Sequence, residues 1–332
     1  MAPRMSASAP LDGLERPRAA GAARPGSDRE NRETAGTRTA LSFEVIPPRH
    51  GHDKDAAKIA NLLSTLEEYN PDYIAVTSSR RSGWLQGTAD FIARIDRETR
   101  MRPLAHLACT AGTRAELSEW INTLVDAGVR GLLALRGDLD PGTTRLPEGY
   151  LQHADDLVRL VRELEAEQAP RFAAGNLAVG VACYPTGHAE SANFDEDIDV
   201  LLAKQRAGAN FAITQLFFDP ADYVSFIDHA RLAGVKIPLI PGIMPMTSVR
   251  RVERMAQLSG TEAPADVIAT LQQAAEISPE REHEVGMQLT AELARVALAA
   301  GAGCLHIYTH NNAAVTRDLL ARIGIRPRAS AA

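Results

Sequence analysis

From residue 40 onward, short and nearly continuous apolar runs alternate with longer stretches of helical spacing, and this alternation constrains the fold more than any other feature. The runs are Leu41–Pro47, Tyr73–Ser79, Pro103–Cys109, Gly131–Gly137, Leu177–Tyr184, Phe211–Phe218, Pro238–Met244 and Cys304–Thr309. A run without polar alternation suits a parallel strand covered on both faces. The stretches Asp53–Tyr69, Arg114–Ala127, Asp155–Glu167, Asp195–Gly208 and Arg281–Ala300 space their apolar residues along one face of a helix. Several of them end in Ala-Gly, as at Ala127-Gly128 and Ala207-Gly208, where glycine takes the left-handed conformation that stops a helix. Eight strands with intervening helices predict an α/β fold, a single closed (β/α)8 TIM barrel over residues 40–325. The competing open, doubly wound sheet calls for a glycine-rich turn after its first strand. Glu44-Val45-Ile46-Pro47-Pro48 is nothing of the kind, and there is no Walker-type loop.

Residues 1–39 are rich in Ala, Arg, Pro and Gly and lack apolar periodicity, which predicts a disordered tail; residues 326–332 form a second, short one. A transit peptide is the alternative for the first segment, but Asp12, Glu15, Asp28, Glu30 and Glu33 argue against it. With 36 Lys plus Arg against 42 Asp plus Glu, the net charge of −6 disfavours nucleic acid or an anionic membrane as main partner. No run approaches the ~18 apolar residues of a membrane span. Cys109, Cys183 and Cys304 are too few for a disulfide framework and lack zinc-ligand spacing, so they are expected in the core of a reduced, cytoplasmic protein.

In a barrel the working groups lie at the C-terminal ends of the strands. Polar residues gather there: Glu44, Thr77, His106, Arg136-Gly137-Asp138, Tyr184 with His188, Gln215, and His306, Tyr308 and His310. Glu44 lies between Phe43 and Val45, and burial there favours its protonated form. It is therefore either a general acid or a structural carboxylate paired with an arginine such as Arg136. Arg136 is placed to clamp a phosphate or carboxylate, or to pair with Asp138, which is itself suited to the N–H groups of a heterocycle. Gln215 carries an amide that burial obliges to find a partner, a ligand among the choices. His306 and His310, four apart on a strand, do not converge on one metal, and no metal site is expected.

Taken in order, these segments resemble the methylenetetrahydrofolate reductase family. The resemblance rests on Ser42-Phe43-Glu44 with Pro47-Pro48, Tyr73 to Thr77, His106 to Cys109, Ala134 to Leu139, Gly180 to Pro185 with His188, Gly208 to Asp219, Ile240 to Pro245 and Leu305 to Asn311. It implies a barrel that reduces 5,10-methylenetetrahydrofolate to 5-methyltetrahydrofolate with NADH or NADPH, feeding methionine synthesis, usually with an FAD between the two substrates. It implies Glu44 as the acid that opens the folate ring to an iminium cation, Asp138 as a group that holds the pterin and tunes the flavin, and Gln215 as a folate contact. It places Thr77, His106, Arg136, Gly137, Ala182, Tyr184, His188, Asp197 and Lys204 on flavin-contacting positions. Association into homo-oligomers is a further implication.

The chain also departs from that pattern. A small-residue loop after Thr77 is replaced by Ser78-Ser79-Arg80-Arg81, two polar flavin-contacting positions by Val200 and Ala203, a Gln and a Phe by Arg251 and Met255, and an Arg by Asn312. Several lost polar contacts, at about 0.5–1.5 kcal/mol each, predict weak or absent flavin binding. Hydride would then pass directly from the nicotinamide to the iminium carbon, with Arg80 or Arg81 either on the dinucleotide's pyrophosphate or merely solvated. Two alternatives stay open: a non-catalytic folate- or flavin-binding paralogue, and a methyltransferase using the folate methyl group, for which no zinc-type Cys/His set is visible.

Overall fold

The computed structural model describes residues 38–48, 53–78, 84–139 and 142–328. The expected tails, up to residue 37 and beyond residue 328, lie outside the described residues, as do Ser79, Arg80 and Arg81.

Nine parallel strands form one sheet: β1 (Ala40–Val45), β2 (Tyr73–Val76), β3 (Pro103–Ala108), β4 (Gly131–Leu135), β5 (Ala178–Cys183), β6 (Phe211–Thr214), β7 (Leu239–Ile240), β8 (Gly242–Ile243) and β9 (Cys304–Tyr308). Their order in space follows the chain from β1 to β7, while β9 joins β1 to β8. The pair β7 and β8 is one barrel strand broken at Pro241, which has no N–H to give a ladder. The proline still closes the ring through its carbonyl, which accepts from His306 N at 3.0 Å. Gly242 makes the closure sterically feasible: a Cβ there would lie 2.6 Å from both Thr214 O and the Tyr308 ring. The result is a nearly closed (β/α)8 barrel.

The helices are α1 (Asp53–Glu67), α2 (Trp84–Glu98), α3 (Arg114–Asp126), α4 (Ala154–Glu167), α5 (Phe194–Arg206), α6 (Pro220–Leu232), α7 (Val249–Ser259), α8 (Ala265–Ile277), α9 (Pro279–Ala299) and α10 (Ala313–Arg322). Sequence reading finds five of them, α1, α3, α4, α5 and α9, to within two residues at each end. It passes over α2, α6, α7, α8 and α10. For α6 the signal was present: Asp219 caps the first turn by accepting from Ala221 N at 2.8 Å, and Pro220 occupies the first helical position. None of the described helices is long and apolar enough to cross a membrane.

The strands are shorter at their C-terminal ends than the apolar runs suggest. Ladder pairing stops at Val76, Leu135 and Thr214, so Thr77, Arg136 and Gln215 sit just beyond their strands. Packing follows the two-residue period of a strand. Outward residues such as Phe43, Leu107 and Val181 join the large core beneath the helices. Inward residues Ala75, Leu104, Leu133, Phe211, Ile213 and Ile240 form a separate plug inside the barrel. The same inward parity, continued toward the C-terminal mouth, brings in Glu44, Thr77, His106, Ala182, Tyr184, Gln215, His306 and Tyr308.

Candidate active site at the barrel mouth

The apolar plug gives way to polar side chains at the level of Glu44. Register pairs Ser42 with His306 and Glu44 with Tyr308 across β1 and β9. Glu44 Oε2 lies 3.6 Å from His106 Nε2 and 3.9 Å from His306 Nε2. His306 is fully buried, and its Nδ1 lies 2.8 Å from Ser42 Oγ. The Nε2 atoms of His106, His306 and His310 and the hydroxyl of Ser78 are buried without a hydrogen-bond partner. The orphaned Nε2 atoms of His106 and His306 both face Glu44, so the mouth offers polar groups that a ligand can bond.

The electrostatics of Glu44 differ from the sequence expectation. Burial pushes its pKa upward, as expected, but contact with His306 and the fields of His106, His306 and His310 overcome that effect and hold it below the ordinary carboxylate value. Burial in turn lowers His106, and burial with the nearby charge of Arg251 drives His310 down to about 4. Near neutral pH the mouth therefore presents an ionised Glu44. Neither pairing considered from sequence forms: Arg136 reaches neither Glu44 nor Asp138. It holds Glu190 instead, with Nη1 and Nη2 at 2.5 and 2.7 Å from the two carboxylate oxygens.

Gln215 follows β6, across the ring from β1. Its N–H donates to Cys183 O at 2.7 Å, its side-chain oxygen accepts from Leu216 N at 2.9 Å, and its amide NH2 meets no acceptor among the described residues. Asp138 is exposed beyond β4. Gly137, between it and Arg136, lies against Thr110. Thr77 is tied into the scaffold: its N–H donates to Val45 O, and its carbonyl accepts from Thr88 Oγ1.

The remaining predicted residues wall a neighbouring cleft of about 400 Å³ between β4, β5 and α5. Arg136, Ala182, Tyr184, His188, Asp197, Val200, Ala203 and Lys204 all line it. Tyr184 and His188 stack edge to face at 4.6 Å between ring centroids, and burial pushes the Tyr184 phenol up to about 12. Asp197 accepts from His188 N at 2.9 Å and from Ser191 Oγ at 2.8 Å. The buried Lys204 donates to Ala182 O at 2.9 Å, its ammonium 5.8 Å from the Tyr184 ring centroid, and desolvation lowers its pKa. Burial raises the Cys109 and Cys183 thiols to about 12, so both are inert core residues, whereas Cys304 is half-buried.

Sequence reasoning passed over Ser42 as a functional group, and it assigned His306 and His310 no role beyond excluding a metal. Parity would have found two of them, since Ser42 and Glu44 share a strand face and His306 and Tyr308 another. It also missed Glu190, whose importance rests on a contact 54 residues away in sequence.

Comparison with known proteins gives the arrangement a context. Residues 29–324 match the family model described as methylenetetrahydrofolate reductase. The 5,10-methylenetetrahydrofolate reductase of Escherichia coli (strain K12) is 31% identical over 287 residues, covering 86% of this chain and 91% of the relative. The Salmonella typhimurium protein of the same name is 30% identical with the same coverage. Among solved structures, an uncharacterized protein from Clostridium thermocellum that binds two copies of 5-methyl-5,6,7,8-tetrahydrofolic acid aligns with a TM-score of 0.57. It is 13% identical, and the match covers 90% of this chain and 98% of that one, a likeness of fold.

Proposed function

The chain belongs to the methylenetetrahydrofolate reductase family, and from that premise we propose that it reduces 5,10-methylenetetrahydrofolate to 5-methyltetrahydrofolate with a nicotinamide dinucleotide as hydride donor. The observation that carries this reading is the convergence of Glu44, His106, His306 and Gln215 on one mouth, with buried polar atoms left without partners.

The product carries its methyl group on N5, so the bond from the bridging carbon to N10 must break. Glu44 supplies the proton to N10, and the remaining electron pair on N5 opens the ring to an iminium cation. Hydride then adds to the bridging carbon. Glu44 is ionised near neutral pH, so it must take up a proton as the substrate binds; displacing water from the mouth strengthens the desolvation that favours the acid form. Gln215 offers its free amide donors to the pterin, and Asp138 offers acceptors to the N–H groups of the same ring. The mouth contributes by holding donor and acceptor carbons in contact.

The family implies an FAD, and the residues at the expected positions do not fit one. Arg136 is engaged by Glu190, Asp197 by His188 and Ser191, and Lys204 by a backbone carbonyl. Val200, 43% exposed, and Ala203 present hydrocarbon where polar contacts are needed. This supports hydride transfer directly from nicotinamide to folate, which is chemically sound because the iminium carbon is already electrophilic. The test is NADH and NADPH oxidation with 5,10-methylenetetrahydrofolate, using protein stripped of flavin, with and without added FAD. Turnover without FAD is expected. Turnover that needs FAD overturns the direct step, and no turnover under either condition overturns the reductase reading.

A further inference from the structure

The broken seventh strand leaves a seam in the barrel wall. β6 pairs with β7 as far as Ile213 and Ile240, β8 pairs with β9, and no ladder among the described residues joins β6 to β8. The ladder stops at the level of the mouth, where Thr214 and then Gln215 follow Ile213. Two hydrogen bonds to Thr214 cross the gap there. Gly242 N donates to Thr214 Oγ1 at 2.9 Å, and the Tyr308 hydroxyl donates to Thr214 O at 2.9 Å. Burial holds the Tyr308 phenol well above its ordinary pKa, so it keeps its proton and remains a donor.

Tyr308 connects the two sides of the site. It is the register partner of Glu44 across β1 and β9. Thr309, the next residue, donates from Oγ1 to Glu44 O at 2.6 Å. The end of β9 is thus fastened to the backbone of the acid on one side and, through the phenol, to the backbone beside Gln215 on the other. Packing leaves the phenol no slack. Its ring meets His306 edge to face at 5.1 Å between centroids, and a Cβ on Gly242 would lie 2.8 Å from its oxygen. A side chain enclosed this closely holds one position and passes that position on to what it bonds.

We propose that Tyr308 is a positioning residue: its hydroxyl braces the seam at Thr214 and so fixes the Gln215 amide relative to the Glu44 carboxyl. This rests on the reductase reading, in which both groups act on one folate, Gln215 on the pterin and Glu44 on N10. The methylene bridge makes that folate rigid between the pterin and N10, so the two groups act together only when their own separation is fixed. A misplacement of ~1 Å costs up to about 100-fold in rate. The brace does this work without touching the substrate.

The experiment compares the wild-type full chain with Tyr308→Phe, Gln215→Ala and the double variant in the reduction of 5,10-methylenetetrahydrofolate by NADH. Phenylalanine keeps the ring and deletes only the hydroxyl. Tyr223→Phe is the control, because Tyr223 makes the same kind of bond away from the mouth, to Leu239 O at 3.0 Å. Each phenylalanine variant is expected to lower Tm by about 2–4 °C, the effect of one hydrogen bond. Tyr308→Phe is expected to lower kcat/KM for the folate about 10- to 100-fold, and Tyr223→Phe to leave it unchanged. In the Gln215→Ala background Tyr308→Phe is expected to cost less than about threefold, because the group it positions is gone. A loss of less than about threefold in Tyr308→Phe alone overturns the proposal. So does an equal loss in Tyr223→Phe, which marks general loosening, or a full loss on top of Gln215→Ala, which marks direct contact with the ligand. Absence of wild-type turnover overturns the reductase reading. The same proteins are then compared in equilibrium binding of 5-methyltetrahydrofolate, where the same pattern of losses supports the brace and any other pattern overturns it. A wild type that binds no folate overturns both.

Discussion

Glu190→Ala asks whether the chain's own carboxylate keeps Arg136 away from a ligand phosphate. The two side chains meet in a two-point contact at 2.5 and 2.7 Å, with Arg136 25% exposed and Glu190 56% exposed. That exposure limits the pair to about 0.5–1 kcal/mol despite its good geometry. A phosphate that takes Arg136 must first break this pair, so removing Glu190 returns the same amount to the ligand, roughly two- to fivefold in affinity. Loss of a negative charge facing the phosphate adds to that gain in the screened regime of a surface site, for a total of about three- to tenfold. The assay is a titration with FAD followed by quenching of flavin fluorescence, at fixed ionic strength. Thermal unfolding serves as control, and a change of no more than about 3 °C is expected for a pair this weak in a domain of this size. Unchanged or weaker FAD binding in Glu190→Ala refutes the reasoning. So does a Glu190→Ala/Arg136→Ala double variant that binds FAD as tightly as Glu190→Ala alone, because the gain must act through Arg136.

Three more outcomes are expected. Glu44→Gln should retain the fold, since the amide is isosteric, and lower turnover about 10²- to 10⁴-fold, the range for a lost general acid; activity within tenfold of wild type in the stripped-enzyme assay would remove Glu44 from the mechanism. Because the free enzyme holds Glu44 below the ordinary carboxylate range, its protonated fraction shrinks about tenfold per unit as pH rises. kcat/KM should therefore climb as pH falls from 8 to about 6, and a flat profile over that window would contradict the assignment. Gly286→Ala, a change that ordinarily favours a helix by about 1 kcal/mol, should instead destabilise by more than about 2 kcal/mol. A Cβ there falls 1.6 Å from Met246 O, a backbone atom that cannot step aside, and denaturant unfolding measures the sign.

The barrel was legible because its signal is local and repeated. Each buried strand declares itself within six to eight residues, and five of the helices through their apolar faces. The missed helices show the limit of that reading: α7 and α8 interrupt the simple alternation with two extra helices between the broken seventh strand and α9. The break itself lay within the predicted run Pro238–Met244, at Pro241, and only the need to pair with β6 on one side and β9 on the other turns one apolar run into two strands.

The candidate site divides along the same line. Glu44, His106, Gln215 and most of the polar residues walling the cleft, though not Glu190, were visible in sequence, because polar groups at the ends of apolar runs are conspicuous. Their electrostatics were not. The sequence shows that Glu44 is buried, and burial alone predicts an acid that keeps its proton; the structure sets three histidines from β3, β9 and the turn after β9 around it, and their combined field reverses the sign. Arg136 likewise reads as a free clamp until a loop 54 residues away supplies Glu190. By itself, then, the sequence determined the eight-strand rhythm of the barrel, at which end the polar groups gather and to which family they belong, since these follow from local periodicity and the order of segments. Only the tertiary structure decided which of those groups meet and which charge each carries, because pairing and desolvation depend on distances between residues that the chain brings together from opposite sides of a closed ring.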